Sequence, residues 1–372
     1  MKVEAGQIAP CLPGSCCIMI ERDKPVVERD SDMRDFLTQC MSCGACTCAC
    51  SFLGTHGEPG RLIAHDDPAV FLCTNCCACN GLCPLGLVPA DALLAAKHRL
   101  IEAGNIPGTV SKVLGAARVF VRTGASFPFS FHPRTKTVFW PGCSLAGMSP
   151  EVVIRTRRLL SGTLGEEVGL ALDCCGDPAN GLGVYDTPRA RLQNIRQSFG
   201  SRGVIRVIAG CANCVKMLHG QLPGVAVEHV LEVLPENTKA RMPSGNGAYL
   251  HHPCPSYRFE SIQKAALRLC GDMPKAEHTT PFCCGKGGGL SALSHESANA
   301  CADEVLRQAG TAPLVTYCMG CRDQFLRRGR QAYHLLELIV DTRPKRKPVP
   351  SARQWLNRLV LALRAHFRKG MV

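Results

Sequence analysis

The segment LDCCGDPANG, residues 172–181, sets two cysteines side by side ahead of a glycine, and PFCCGKGGGL, residues 281–290, repeats the arrangement. A bridge within either pair is disfavoured, because adjacent Cα atoms lie about 3.8 Å apart, short of the usual disulfide range. The doublets belong to a longer repeat with a period of 111 residues, counted from Cys143 to Cys254. TVFWPGCSLAG matches GAYLHHPCPSY, ALDCCGDPANGLG matches PFCCGKGGGLS, and IRVIAGCANCVKML matches APLVTYCMGCRDQF. VEHVLEVL then answers AYHLLELI, which aligns His229 with His334. Short β-rich runs (TVFW, VGLAL, VIRVIA; AYL, LVTY) precede the cysteines, and helical patterns such as EVVIRTRRLL, RARLQNIRQSF and ESANACADEVLRQAG follow. Strands alternating with helices predict two small α/β lobes with cysteines at strand ends.

The chain of 372 residues is long enough for two or three domains, and its 25 cysteines exceed the usage of an ordinary soluble enzyme. The start MKVEAGQIAPCLPG lacks a secretory pattern, so a reducing cytoplasm is expected and structural disulfides are not. No apolar run is long enough to span a bilayer. The net charge of +13 is uneven, with nine Lys or Arg and one acid, Asp341, in residues 341–372. One basic appendage, and no nucleic-acid groove, is the expectation.

Upstream, CMSCGACTCAC supplies Cys40, Cys43, Cys46 and Cys50, and CTNCCACNGLCP supplies Cys73, Cys76, Cys79 and Cys83. Each is a C-x2-C-x2-C-x3-C run of the bacterial ferredoxin type, in which the fourth cysteine serves the other cluster. Two cubane [4Fe–4S] clusters are therefore expected, one on Cys40, Cys43, Cys46 and Cys83, the other on Cys73, Cys76, Cys79 and Cys50. Zinc is the alternative, although it favours pairs of cysteines over triplets. Cys48 and Cys77 are supernumerary, as are Cys11, Cys16 and Cys17 in the leader. An amphipathic helix, ADALLAAKHRLIEAG, ends at Gly104 with Pro107 beyond.

Each repeat holds five thiols: Cys143, Cys174, Cys175, Cys211 and Cys214, then Cys254, Cys283, Cys284, Cys318 and Cys321. That is one more than a cubane or a zinc ion takes, so either one is a spectator or the cluster is not a cubane. The region from about 35 to 341 resembles the proteins with paired CCG domains, above all the heterodisulfide reductase catalytic subunit fused behind its ferredoxin-like partner. It is also similar to the iron–sulfur subunits of glycolate oxidase, lactate-utilisation and anaerobic glycerol-3-phosphate dehydrogenase complexes. The resemblance implies that all ten cysteines are ligands of two non-cubane [4Fe–4S] clusters, with Cys174, Cys175, Cys283 and Cys284 at the catalytic face. Gly176 and Gly285 would then turn the backbone beside the iron and leave room for a substrate sulfur, and DPANGLG and KGGGLSA would keep that face open.

The fold class expected is α+β: a helical 2[4Fe–4S] ferredoxin-like domain followed by two repeated α/β CCG lobes. The boundaries are a leader 1–34, the ferredoxin-like domain 35–118, a linker 119–136, lobes 137–246 and 247–341, and a basic amphipathic tail 342–372. His251 and His252 are candidates to bond cluster sulfur or to serve as local strand-end histidines; His229 and His334 are expected to pack in helices, and Cys270 and Cys301 in the core. GKGGG lacks the spacing of a phosphate loop, and without a Rossmann fingerprint any flavin belongs to a partner.

Two functions follow. One is a cytoplasmic iron–sulfur oxidoreductase subunit acting on a disulfide or thiol substrate. The other is an electron relay between a flavoprotein dehydrogenase and a quinone-reactive subunit or membrane cytochrome. In the latter, the stripe Trp355, Leu356, Leu359, Val360, Leu363 and Phe367, flanked by Arg353, Arg358, Arg364 and Lys369, docks peripherally on the inner membrane face or on a membrane subunit.

Overall fold

Apolar spacing without strand-forming runs makes the described residues from 30 to 124 helical. The computed structural model describes residues 30–48, 50–124, 133–241, 247–271, 282–343 and 346–367; Cys11, Cys16 and Cys17 lie outside them. Helices α1 (Asp30–Gln39), α2 (Ser51–His56), α3 (Pro59–Ala64), α4 (Pro89–Glu102) and α5 (Gly108–Arg122) are joined by short 3-10 turns. Pro89 opens α4 at its first position, where a missing N–H costs nothing, and Gly104 turns the chain beyond its end with φ +69°. Helix α5 extends into the segment read as a linker, of which residues 125–132 are not described.

The repeated region folds around two parallel sheets. TVFW becomes β1 (Thr137–Trp140), buried at all four positions, as an unbroken apolar run in a covered parallel strand should be. After it come α6 (Cys143–Met148), α7 (Pro150–Leu164), β2 (Gly169–Leu170), α8 (Asp177–Asn180), α9 (Asp186–Gly200), β3 (Arg206–Ala209), α10 (Ala212–Leu218), β4 (Ala226–His229) and α11 (Val230–Val233). The strand order is β2-β1-β3-β4, with Val138 opposite Gly169 and Val207, and Ala209 opposite His229.

The second lobe repeats the plan with β5 (Tyr249–His251), α12 (Glu260–Cys270), α13 (Leu290–Leu293), α14 (His295–Ala309), β6 (Leu314–Thr316), α15 (Met319–Arg327), β7 (Ala332–His334) and α16 (Leu335–Ile339). Its sheet runs β5-β6-β7. A last helix, α17 (Ser351–Phe367), returns to lie on α6. One apolar core joins both lobes, running from Val138, Phe139 and Trp140 through Leu250, Val315 and Tyr317 to Leu335 and Leu361.

Strands β4 and β7 correct the expectation that His229 and His334 pack in helices. Each segment begins as a strand and turns helical at its histidine. Nδ1 of His229 accepts the Leu231 N–H at 3.4 Å and the Glu232 carboxylate accepts the His229 N–H at 2.7 Å; His334, Leu336 and Glu337 do the same at 3.2 and 2.9 Å. Both histidines are thus helix caps, equivalent across the repeat.

The glycine loops also differ from expectation. A Cβ on Gly176 (φ +93°) would lie 3.0 Å from Pro188 Cβ, and one on Gly285 (φ +78°) 2.3 Å from the Ala298 carbonyl oxygen. The space these glycines leave is therefore filled by α9 and α14, not left for a ligand. DPANGLG and KGGGLSA close on each other and on the N-terminal region: a Cβ on Gly181 would meet the Gly288 Cα at 3.3 Å, and one on Gly288 would meet the Cys73 carbonyl oxygen at 2.7 Å. Three backbones converge there because neither glycine carries a side chain at the contact.

Gly285→Ala should lower the thermal midpoint much more than Gly310→Ala. Both positions have positive φ, but only the first is crowded. A left-handed residue costs about 1–2 kcal/mol, and overpacking adds about 1–3 kcal/mol. Differential scanning calorimetry of the two variants under anaerobic conditions checks this.

Candidate iron–sulfur centres

In each lobe the carboxyl ends of the strands deliver the cysteines. Cys143 follows β1 through Pro141 and Gly142, Cys174 and Cys175 follow β2, and Cys211 follows β3 and caps α10, which carries Cys214. Cys254 follows β5, and Cys318 follows β6 and caps α15, which carries Cys321. Gly142 (φ +77°) is required by the crowding: a Cβ there would lie 3.3 Å from both Cys211 Cβ and Cys214 Sγ.

The thiols of each lobe interact directly. Cys143 lies beside Cys174, and Cys214 beside Cys175 and Cys211, close enough that the ionisation of one affects the next. In the second lobe, Cys321 lies beside Cys284 and Cys318, and Cys283 beside Cys254. Cys211 also lies beside Cys318, so the two groups meet where the lobes adjoin.

The N-terminal cysteines gather in two groups. Cys46 feels the charges of Cys40, Cys43 and Cys83, and these four line one hollow with Phe36, Leu87 and Pro89. Cys79 feels Cys73, Cys76, Cys77 and Cys50. Burial pushes Cys46 up to about 11 and raises Cys50, Cys73 and Cys79, with Lys97 opposing the rise at Cys73. The second group abuts the second lobe: Cys283 lies beside Cys76, and its thiol donates to Thr74 Oγ1 at 3.2 Å.

This donor set fits iron. Buried thiols resist ionisation, and neighbouring thiolates repel, unless a positive centre lies among them. Peptide N–H groups also point at sulfur, from Asn75 to Cys73 at 3.4 Å and from Gly285 to Cys283 at 3.3 Å, a contact that stabilises ligating thiolates. None of the described cysteines is in a disulfide. Among the described residues, no three His, Cys, Asp or Glu side chains converge on one point as they would around a single ion.

Comparison with known proteins agrees with this geometry. The family described as "CCG: Cysteine-rich domain" matches residues 137–219 and again 248–325, each match containing one five-cysteine set. The chain carries the CCG domain twice. It is also similar to a subunit of the ferredoxin:CoB-CoM heterodisulfide reductase of Methanosarcina mazei, 35% identical over 75 residues, which cover 18% of this chain and 47% of that relative. The chain thus spans about half the length of the curated relative it matches.

Residues outside the CCG motifs complete the site, and the sequence concealed them. Lys97, which the sequence places in an amphipathic helix, is fully buried and donates from Nζ to the carbonyls of Cys73 at 2.6 Å and Gly181 at 2.8 Å. Burial lowers it to about 8. Arg258 reaches from the second CCG lobe to Cys77 Sγ at 2.9 Å and Asp91 at 3.4 Å. Cys301, expected in the core, instead lies beside Cys283, with its sulfur 3.7 Å from Ser51 Oγ; Cys270 is in the core. His252 has a local role, with Nδ1 2.7 Å from the Tyr317 hydroxyl, which donates to Ser256 at 2.8 Å. His251 packs edge-on against Phe325.

Burial pushes His229 and His334 down to about 3 from 6.5. Both are neutral in the folded chain, whereas the unfolded chain takes up protons below about pH 6.5. Stability from these caps is complete above that pH and is lost as pH falls from about 6.5 toward about 3. Urea midpoints measured anaerobically at pH 7.5, 6.5 and 5.5 should fall below pH 6.5, and His334→Asn should show a shallower fall by about one proton's worth of slope.

Proposed function

We propose that the chain is an iron–sulfur oxidoreductase subunit that uses its paired CCG lobes for disulfide and thiol chemistry. The contact of Cys211 with Cys318 carries this reading, because it sets two complete five-cysteine groups against each other. A substrate sulfur held there is within reach of both groups. The reaction is reduction of a disulfide to two thiols: one S–S bond breaks, two electrons arrive from a redox partner protein, and two protons come from solvent. The reverse oxidises two thiols and returns the electrons.

The ligand sets proposed are Cys40, Cys43, Cys46 and Cys83, and Cys73, Cys76, Cys79 and Cys50, for cubane clusters. All five cysteines of each CCG lobe hold the other two, which are non-cubane. When bound, such clusters supply one-electron carriage at separations a protein interior allows. The chain's own residues set the order of the groups. Cys43 is exposed at the outer one, Cys76 touches Cys283 of the second lobe, and Cys318 touches Cys211 of the first. Ferredoxin-type cysteines thus lie on the donor side, and a relative that belongs to a heterodisulfide reductase supports the same direction of reasoning.

A second reading, an electron relay docked on a membrane or membrane subunit, is favoured by α17. Its outer face exposes Trp355 (37%), Leu356 (45%) and Val360 (36%) beside Arg353 and Arg364. No helix among the described residues is long and apolar enough to cross a membrane.

Electron paramagnetic resonance of the oxidised, iron-loaded chain separates the two. Adding a small thiol should produce a new paramagnetic signal that Cys174→Ala or Cys283→Ala abolishes. No thiol-dependent signal, together with rapid reduction of a quinone analogue by the reduced chain, would assign it to the relay.

A further inference from the structure

The basic tail delivers a cation into the first CCG lobe. Helix α17 crosses α6, the short helix that begins at Cys143, with Leu361 and Ala362 buried in the shared core and Asn357 Nδ2 donating to the Gly147 carbonyl at 2.6 Å. Arg358 points inward and is 4% exposed. Its Nε donates to the Cys143 carbonyl at 2.9 Å, and Nη2 donates to Gln354 Oε1 at 3.4 Å. The guanidinium lies against the rings of Phe120 and Trp355, 5.3 and 5.0 Å from their centroids. Gly147 admits it, since a Cβ there would lie 2.8 Å from Nη2.

Among the described residues no carboxylate pairs with Arg358. A buried guanidinium without an anion is strongly disfavoured, and the aromatic faces offset only part of that. The groups within its electrostatic reach that become anionic as ligands are the thiols of Cys143 and Cys174. Other cations near CCG thiols are already committed to carboxylates: Arg191 to Asp173, Lys216 to Asp177 at 2.5 Å, Lys286 to Asp323 at 3.1 Å and Arg258 to Asp91 at 3.4 Å. Among the described residues, the second lobe therefore has no equivalent. Lys97 is the comparable cation, at the Cys73 group.

We infer that Arg358 is a positioning residue that sets the potential of the first CCG lobe: its uncompensated charge stabilises the additional negative charge gained on reduction beside Cys143 and Cys174, and biases that lobe toward the reduced state relative to the second. This rests on the ligand sets proposed above. It gives the C-terminal helix an internal electrostatic task, distinct from any docking by its outer face.

The test is a redox titration of the anaerobically iron-loaded full chain, followed by electron paramagnetic resonance, with iron content measured alongside. In Arg358→Gln, one transition should move to more negative potential by about a tenfold change in the reduced-to-oxidised ratio, 59 mV for one electron, with the others unmoved. Arg358→Lys, which keeps the charge, should recover most of the shift. Selective loss of the first lobe's iron in the glutamine variant but not the lysine variant would equally support a counter-charge. Unmoved transitions at full iron content, or equal effects of both substitutions, would overturn the inference while leaving the ligand sets intact. A wild-type chain that binds no iron would overturn both.

Discussion

Crowded, buried sulfur is the constraint on which the structure depends. Eighteen thiols lie in four groups, seven buried and ten of the rest half-buried, and as thiolates they would repel one another. No arrangement of apolar packing relieves that; a positive centre within each group does. The local features follow from it. Peptide N–H groups face Cys73 and Cys283, Lys97 donates beside Cys73, and Arg358 donates beside Cys143. Parallel strands supply the ligands because their carboxyl ends open onto loops and helix starts where several chain segments meet.

The second determinant is where the backbones meet. Gly181, Gly288 and the Cys73–Thr74 peptide approach within distances that any side chain would prevent, and Lys97 fastens the junction by bonding the carbonyls of Cys73 and Gly181. The lobes are locked elsewhere by Arg322 and Glu337, whose carboxylate also accepts from Ser149 of the first lobe at 3.1 Å. Close backbone approach, and not an open substrate face, explains the glycine richness of both loops. It also fixes the Cys76 to Cys283 contact that joins the N-terminal groups to the second lobe.

Much of this is legible in the residues. The 111-residue period and the strand runs TVFW, VIRVIA, AYL and LVTY foretell two parallel lobes, since buried parallel strands need continuous apolar stretches. Other features are hidden for physical reasons. A strand of three or four residues ending in a capping histidine has the same apolar spacing as a helix, so β4 and β7 look helical in sequence. Lys97 and Arg358 sit on amphipathic helices where a cation normally faces water, and only tertiary packing turns them inward. The glycines after each doublet signal positive φ, but whether the vacated space belongs to a ligand or to Pro188 and Ala298 depends on residues distant in sequence. Cys301 resembles a core residue because its helix is amphipathic; its contact with Ser51 exists only once α14 meets α2.

The most direct measurement is quantification of iron and acid-labile sulfide on the chain purified or reconstituted without oxygen. Four [4Fe–4S] clusters require about 16 irons and as many sulfides per chain, with thiolate-to-iron absorption that disappears on chelation. A colourless protein holding zinc and no sulfide would contradict the account.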